Sequence, residues 1–528
     1  MTKTNTTNDN AALFFVDKHT NERADKAAFV EIDGQKRTLT YGELAHQTDC
    51  MIDLYKTFDI RREERAVILS LDTIHLPTVF WGSLKAGVVP IPVNTLLSSQ
   101  LYEFILNDSR ATVLFISEEL MPIVVDVLPH TPYLQTIFVL TNNSVEPYVN
   151  ALAHISDELN IVAFENTIAK CQPKKCVVAH SDEIAFWLYS SGSTGMPKGV
   201  HHMHQSLKAT VDTYGSNVLQ IKESDSTFSA AKIFFAYGLG NSMSFPLSVG
   251  ATAYLYSGRP TPASMVECFK VARPTIFFGV PTLYAATINY LQGKKPEGLE
   301  RLRHCVSAGE ALPQHTGEGW EALTGASILD GVGSTEMLHI FLSNTLDSIE
   351  YGASGKAVAG YELRLVNEEG DDVATDEIGE LLVKGASSAD KYWNQREKSK
   401  TTFEGLWTRT GDKYTQNASG TYVYCGRTDD MFKVSGIWIS PFEIEQALMA
   451  HDSVLEAAVV PKEDGEKLLK PIAYIILNSK QDKDALRAEL KDFVKEKIGK
   501  WKYPRWIEFV EELPKTATGK IQRFKLRA

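Results

Sequence analysis

Through the first 330 residues, short apolar runs alternate with segments of mixed polarity. RAVILSL (65–71) is rich in strand-forming apolar residues, and the mixed segment after it ends at Lys85-Ala86-Gly87. VVPIPV (88–93) reads as a strand, LYEFILND (101–108) as a helix and TVLFIS (112–117) as a strand again. Uninterrupted apolar runs of this length, bounded by polar helical stretches, predict parallel strands buried on both faces. The pattern recurs at IAFWLY (184–189), TIFFGV (275–280), HCVSAG (304–309) and ASILDG (326–331), which gives an α/β architecture.

The texture changes after about residue 350. Residues 362–385 read as a β-hairpin around an acidic, glycine-containing turn, and TYVYCG (421–426) as one more strand, so this part is β-rich. From Asp430 the pattern is that of a compact α+β unit. It has a helix from Pro441, strands VLEAAVV (454–460) and PIAYIIL (471–477), and a helix over 485–498. The predicted boundary lies near Arg427–Asp430. It separates a large domain of several subdomains, residues 1–428, from a small C-terminal domain, residues 429–528.

Composition narrows the function classes. The 528 residues hold 54 Lys and Arg against 66 Asp and Glu, for a net charge of −12. Bulk charge therefore argues against nucleic acid as a partner. Hydrophobic residues make up 44% and charged residues 23%, a globular and not a disordered balance. The opening MTKTNTTNDNAALFF has no apolar signal region. No run reaches the ~18 apolar residues of a membrane span, so a cytoplasmic protein without a membrane partner is expected. The six scattered cysteines make no disulfide framework, and Cys171 and Cys176 lack further ligands at zinc-site spacing. Residues 481–528 are locally basic, with 13 Lys and Arg against 8 Asp and Glu, the charge a polyanionic ligand would favour.

The strongest chemical signal is Tyr189-Ser190-Ser191-Gly192-Ser193-Thr194-Gly195-Met196-Pro197-Lys198-Gly199. It follows a predicted strand and precedes a helical stretch expected to begin near His201. Glycines permit close backbone approach, hydroxyl and amide groups donate to phosphate oxygens, and the lysine adds charge, so the segment reads as a phosphate cradle. It is not a Walker A loop, because Pro197 stands where the second glycine of that motif belongs. Four further blocks accompany it. Asp330-Gly331-Val332-Gly333-Ser334-Thr335-Glu336 ends a predicted strand, where α/β folds bind ligands, and Glu336 is an oxygen donor suited to Mg²⁺. Asp412, in WTRTGD (407–412), offers a carboxylate for vicinal ribose hydroxyls. GRTDD (426–430) sits at the predicted boundary, and PKTATGK (514–520) lies in the basic C-terminal lobe.

Together and in this order, these motifs resemble those of the AMP-forming adenylating enzymes: acyl- and aryl-CoA synthetases, luciferases and peptide-synthetase adenylation domains. The resemblance runs from Thr40-Tyr41-Gly42-Glu43-Leu44 to Lys520. Residues 230–252, 333–344, 426–445 and 514–527 are most similar to benzoate–CoA ligases. The resemblance implies a large domain and a mobile lid with the active site between them. It also implies a two-step reaction, in which an acyl-adenylate forms with release of pyrophosphate and CoA then displaces AMP.

Residue roles follow from the same resemblance. Ser190, Ser191, Gly192, Ser193, Thr194, Gly195 and Lys198 would hold the β- and γ-phosphates of ATP. Thr335 would touch the α-phosphate and Glu336 would bind Mg²⁺. Gly309, Glu310, Asp330 and Gly331 would flank adenine, Asp412 would bind the ribose and Arg427 would assist. Lys520 would bridge the carboxylate and the α-phosphate, with Asp429 as the hinge of the lid. Ala236, Tyr237, Gly238, Gly333, His339 and Ile340 would line the acid pocket, with Phe234 and Phe235 in the core. Lys433, Ser435, Gly436, Trp438, Trp501, Lys502 and Arg505 would meet CoA. Val332 departs from the aromatic residue that stacks on adenine in many relatives, as the benzoate-like branch also does. The implied acid is benzoate or a close aryl carboxylate, with cyclohexane- or medium-chain aliphatic carboxylates as the alternative. A monomer or homodimer is implied, and Lys520 matches a position where a lysine acetyltransferase acts in relatives.

Overall fold

The structure is a computed structural model that describes all residues except 1–6, 153–158, 193–194, 435–436, 466–467, 479–481, 500–501, 516–520 and 528. A nine-stranded sheet runs in the order Lys356–Ala357, Ile340–Ser343, Ile328–Gly333, His304–Ala308, Ile276–Gly279, Ser226–Ser229, Thr252–Leu255, Ala27–Glu31, Thr38–Thr40. Neighbours from Ile328–Gly333 through Ala27–Glu31 are parallel, and the pairs outside them are antiparallel. A second, five-stranded sheet is parallel throughout: Val89–Pro92, Arg65–Leu69, Val113–Ser117, Thr136–Leu140, Asn160–Ala163. Val113–Ser117 and Thr136–Leu140 are buried at every position, the burial their unbroken apolar sequence requires.

Local signals account for several boundaries. Thr40 and Glu43 form a reciprocal capping box at the start of helix Tyr41–Thr57, which satisfies two backbone N–H groups the helix cannot. The Tyr41 hydroxyl then donates to the Ala251 carbonyl at 2.6 Å and ties this helix to the large sheet. Helix His75–Ala86 stops at Gly87, whose φ of 76° belongs to the left-handed region.

One expectation is corrected. IAFWLY does not join a parallel sheet, and no helix begins at His201. Ile184–Gly192 and Gly195–Met203 form a two-stranded antiparallel ribbon with Ser190 opposite Lys198, and the helix starts at His204. Pairing and ring stacking hold the second strand extended. Trp187 stacks on His201 at 4.2 Å between centroids, His201 on Trp393 at 5.7 Å and Phe186 on His202 at 5.0 Å. The chain at 390–393 also bonds along Gly195–Met203: Trp393 N–H donates to Gly199 O at 2.8 Å and His201 N–H to Lys391 O at 3.0 Å.

Glu362–Val366, Gly379–Lys384, Trp407–Gln416, Phe403–Glu404 and Tyr422–Arg427 form an antiparallel sheet. The smaller C-terminal domain packs helices Pro441–Met449 and Lys483–Ile498 on the sheet Val454–Glu463, Leu469–Leu477, Trp506–Phe509, around Ile444, Leu448, Val459, Ile475 and Leu490. Among the described residues, no helix is long and apolar enough to cross a membrane.

Candidate active site

The parallel strands of the large sheet deliver the site at their carboxyl ends. Ser307 lies opposite Asp330 and Ala308 opposite Gly331, so the segments after these two strands emerge side by side. Gly309, with φ of 98°, turns the chain out at Glu310. Asp330 is buried, and its carboxylate accepts from Leu312 N–H at 3.4 Å. Burial raises its pKa well above the ordinary carboxyl value.

Beyond Gly333, Thr335 and Glu336 face the hairpin that carries Ser190 and Lys198. Lys198 Nζ is 3.9 Å from the Glu336 carboxylate. Burial lowers the lysine pKa and the Glu336 charge opposes that shift. A third residue, Tyr392, joins them. Its hydroxyl donates to Glu336 Oε1 at 2.8 Å, and Lys198 Nζ sits 4.3 Å from the centre of its ring. Tyr392 is 3% exposed, and burial raises its pKa, so it remains a donor. Sequence reasoning missed this residue. The aromatic pair Tyr392–Trp393 inside the otherwise polar stretch DKYWNQ does not by itself mark it. The hydroxyl of Ser190 is buried without a partner among the described residues. Ser193 and Thr194 lie outside the described residues, as do the side chains of Ser191, Gly192 and Gly195.

Asp412 and Arg427 are cross-strand partners joined by a 3.1 Å ion pair, and Arg427 Nη1 also donates to the Thr410 carbonyl at 3.1 Å. Gly411 makes this possible. Its φ is 71°, and a Cβ there would lie 2.9 Å from Arg427 Nη2.

The residues expected at the acid pocket also meet. Ala236, Tyr237 and Gly238 belong to the short helix Ala236–Leu239. The Tyr237 ring is 5.6 Å from that of His339, and its hydroxyl donates to the carbonyls of Gly279, at 3.2 Å, and Val306, at 3.1 Å, on two adjacent strands. Gly331 abuts Ile340, and Gly333 abuts the His339 backbone. Phe234 is buried and Phe235 half-buried. Burial lowers the His339 pKa to about 3, so its imidazole is neutral.

The expected CoA and lid residues are less gathered. Ser435, Gly436, Trp501 and Lys520 lie outside the described residues, as do the side chains of Lys433 and Trp438. Lys502 Nζ is bonded to both Glu443 carboxylate oxygens at 2.8 Å, an ion pair within the C-terminal domain. Arg505 lies 4.4 Å over the Tyr503 ring. At the expected hinge, Arg527 donates to the Asp429 carbonyl at 3.2 Å, and both Arg523 and Arg527 bond the Asp430 carboxylate. A surface cavity of about 450 Å³, lined by Arg65, Val89, Trp187, His201 and Trp393 among others, opens instead at the amino ends of the strands that start at Arg65, Val89 and Ile184.

Paired parallel sheets, a small C-terminal domain and a lysine–glutamate pair beside a Ser/Gly hairpin define an adenylate-forming architecture, and sequence comparison agrees. Residues 16–393 match the AMP-binding enzyme family and residues 443–520 the AMP-binding enzyme C-terminal domain; the chain belongs to this family. It is 48% identical over 521 residues, 98% of this chain and 94% of the relative, to the 4-hydroxybenzoate–CoA/benzoate–CoA ligase of Rhodopseudomonas palustris. A benzoate CoA ligase from Burkholderia xenovorans superposes with a TM-score of 0.87 at 44% identity, covering 99% of this chain and 100% of that one. The anthranilate CoA ligase AuaEII, solved with anthranoyl-AMP, gives a TM-score of 0.90 at 39% identity, covering 98% of this chain and 96% of that one.

Proposed function

We propose that this chain is a benzoate–CoA ligase, converting benzoate, ATP and CoA to benzoyl-CoA, AMP and pyrophosphate. The observation that carries the reading is one arrangement: the Tyr237 and His339 rings lie 5.6 Å apart beside the apolar residues Ala236 and Ile340, and His339 follows three residues after Glu336 of the Lys198–Glu336–Tyr392 cluster. An aryl acid suits these apolar surroundings, and a triphosphate suits the cluster.

In the first step, a carboxylate oxygen attacks the α-phosphorus of ATP. The bond to the β-phosphate oxygen breaks and pyrophosphate leaves. In the second, the CoA sulfur attacks the acyl carbon, the bond to the AMP oxygen breaks and the thiol proton is lost to solvent. Both steps depend on stabilising developing charge. Residues 190–195 and Lys198 hold the β- and γ-phosphates, and Thr335 contacts the α-phosphate. Gly309, Glu310 and the 330–331 backbone flank adenine, and Asp412 with Arg427 holds the ribose. Lys520 delivers a flexible point charge to the carboxylate and α-phosphate. The half-buried Glu336 carboxylate next to Lys198 is a hard oxygen donor of the kind Mg²⁺ requires, and the ion would neutralise phosphate charge there. The lid comprises residues 429–528 and turns at Asp429, exchanging Lys520 for the 433–438 segment before CoA enters. Trp501, Lys502 and Arg505 meet CoA in this step, and Lys502 must leave Glu443 to contribute.

The test is AMP release with ATP, Mg²⁺ and CoA across benzoate, substituted benzoates, cyclohexanecarboxylate, hexanoate and phenylacetate. Benzoate is expected to give the highest kcat/KM. A higher value for hexanoate or cyclohexanecarboxylate would overturn the aromatic reading.

A further inference from the structure

Behind the acid pocket runs a buried polar chain to which the proposed mechanism assigns no part. Ser229, at the carboxyl end of its strand, donates from Oγ to the Ala231 carbonyl at 2.9 Å. With its proton committed, that oxygen accepts from Asn241 Nδ2 at 3.3 Å. The opposite amide orientation would set Asn241 Oδ1 against an oxygen with no hydrogen to give. Asn241 Oδ1 therefore faces His339 Nε2, at 3.2 Å, and only the Nε2–H tautomer satisfies that contact. All three side chains are buried: Asn241 is 0%, His339 3% and Ser229 7% exposed.

The backbone is shaped to the same end. Asn241 lies in a single π-helical turn, Gly240–Ser244, inserted between helices Ala236–Leu239 and Phe245–Val249. Such turns reorient side chains and collect at functional sites. Its first residue has to be glycine, because a Cβ on Gly240 would stand 2.4 Å from His339 Cδ2. The imidazole also meets the Tyr237 backbone and the rings of Tyr214, Tyr237 and Phe245. His339 Nδ1 is buried and has no partner among the described residues.

We propose that Asn241, oriented by Ser229, is a positioning residue that fixes the tautomer and ring plane of His339 and so sets the selectivity of the pocket between unsubstituted and hydroxyl-bearing aryl acids. The inference rests on the acid-pocket reading above. With its single proton tied to Asn241, the imidazole has no N–H to give to a substituent oxygen. It offers only the Nδ1 lone pair; freeing it allows the proton to move to Nδ1 and turns that acceptor into a donor, which changes how the pocket ranks a hydroxyl against hydrogen.

The experiment compares wild type, Asn241→Leu and Ser229→Ala, the second removing only a distant hydroxyl should the first fold poorly. Histidine-selective ¹⁵N spectra, assigned with His339→Gln, report the tautomer. Kinetics report KM and kcat for benzoate and for 2-, 3- and 4-hydroxybenzoate. Wild type is expected to show the neutral Nε2–H form. Asn241→Leu should lose that single form, raise the benzoate KM about fivefold or more with KM for ATP within twofold, and change the benzoate-to-hydroxybenzoate ratio of kcat/KM at least fivefold. Ser229→Ala should move the same quantities in the same direction by about two- to threefold. A wild-type proton on Nδ1, or a ratio unchanged in both variants, would overturn the inference. Wild type inactive with every aryl acid would overturn the acid-pocket reading, whereas the spectra decide the tautomer independently.

Discussion

Tyr392→Phe isolates one atom of the site. The change removes the hydroxyl that donates to Glu336 Oε1 at 2.8 Å and keeps the ring beneath Lys198. The residue is 3% exposed, and loss of an oxygen leaves little void, so the fold should persist. A hydrogen bond to a charged group is worth about 1.5–3 kcal/mol. The Glu336 side chain keeps 16% of its surface exposed, so water can replace part of the loss. The lower end, ~1.5 kcal/mol, corresponds to roughly a tenfold change. Loss of that restraint lets Glu336 swing toward Lys198, so the penalty falls on the triphosphate and its Mg²⁺. KM for ATP, and the dissociation constant of MgATP by calorimetry, should rise about tenfold, with KM for benzoate within twofold. An ATP KM unchanged within twofold in a folded variant would refute the placement of Glu336 and Lys198 around the triphosphate.

Other perturbations read different parts of the account. Lys520→Ala should depress adenylate formation by about 10²–10³-fold or more, measured as pyrophosphate release, while leaving thioesterification of supplied benzoyl-AMP within a few-fold. Gly411→Ala should destabilise by about 1–3 kcal/mol, because a left-handed residue gains a Cβ against Arg427; denaturant melts and an ATP titration should both register it. Stability should also fall in mild acid. Burial lowers His202 and His339 to about 3 and His19, His201, His204 and His304 to about 4. The unfolded chain therefore binds more protons below about pH 6.5, and each fully coupled histidine removes about 1.4 kcal/mol per pH unit there. The raised carboxyls of Asp17, Asp72, Asp108 and Asp330 act in the opposite sense, but the six histidines outnumber them. Melting temperature should be nearly flat from pH 7 to 8 and drop steeply from 6.5 to 4.5. A flat profile to pH 4.5 would contradict the neutral burial of these rings.

Unbroken apolar runs disclosed the parallel strands because a strand covered on both faces has no polar position to display. The same run could not disclose direction. IAFWLY has the composition of a central parallel strand yet pairs antiparallel with GMPKGVHHM, a stretch containing two glycines and a proline that no propensity marks as strand. Rings far apart in sequence, Trp187, His201 and Trp393, hold that strand. Lys198, Glu336, Asp412 and Arg427 were legible because charge and glycine in fixed local order carry chemistry by themselves. Tyr392 and Asn241 were not. The first lies 56 residues from Glu336 and the second 98 from His339, and each acquires meaning only from a contact the topology creates.

The most direct test of the central proposal separates the two half-reactions. Enzyme in excess is mixed with benzoate, ATP and Mg²⁺ without CoA, quenched and resolved by chromatography, and CoA is then added to a parallel sample. The account predicts stoichiometric benzoyl-AMP and pyrophosphate in the first sample, and conversion to benzoyl-CoA and AMP in the second. Benzoyl-CoA formed with no adenylate at any time, or adenylate that CoA does not consume, would contradict it.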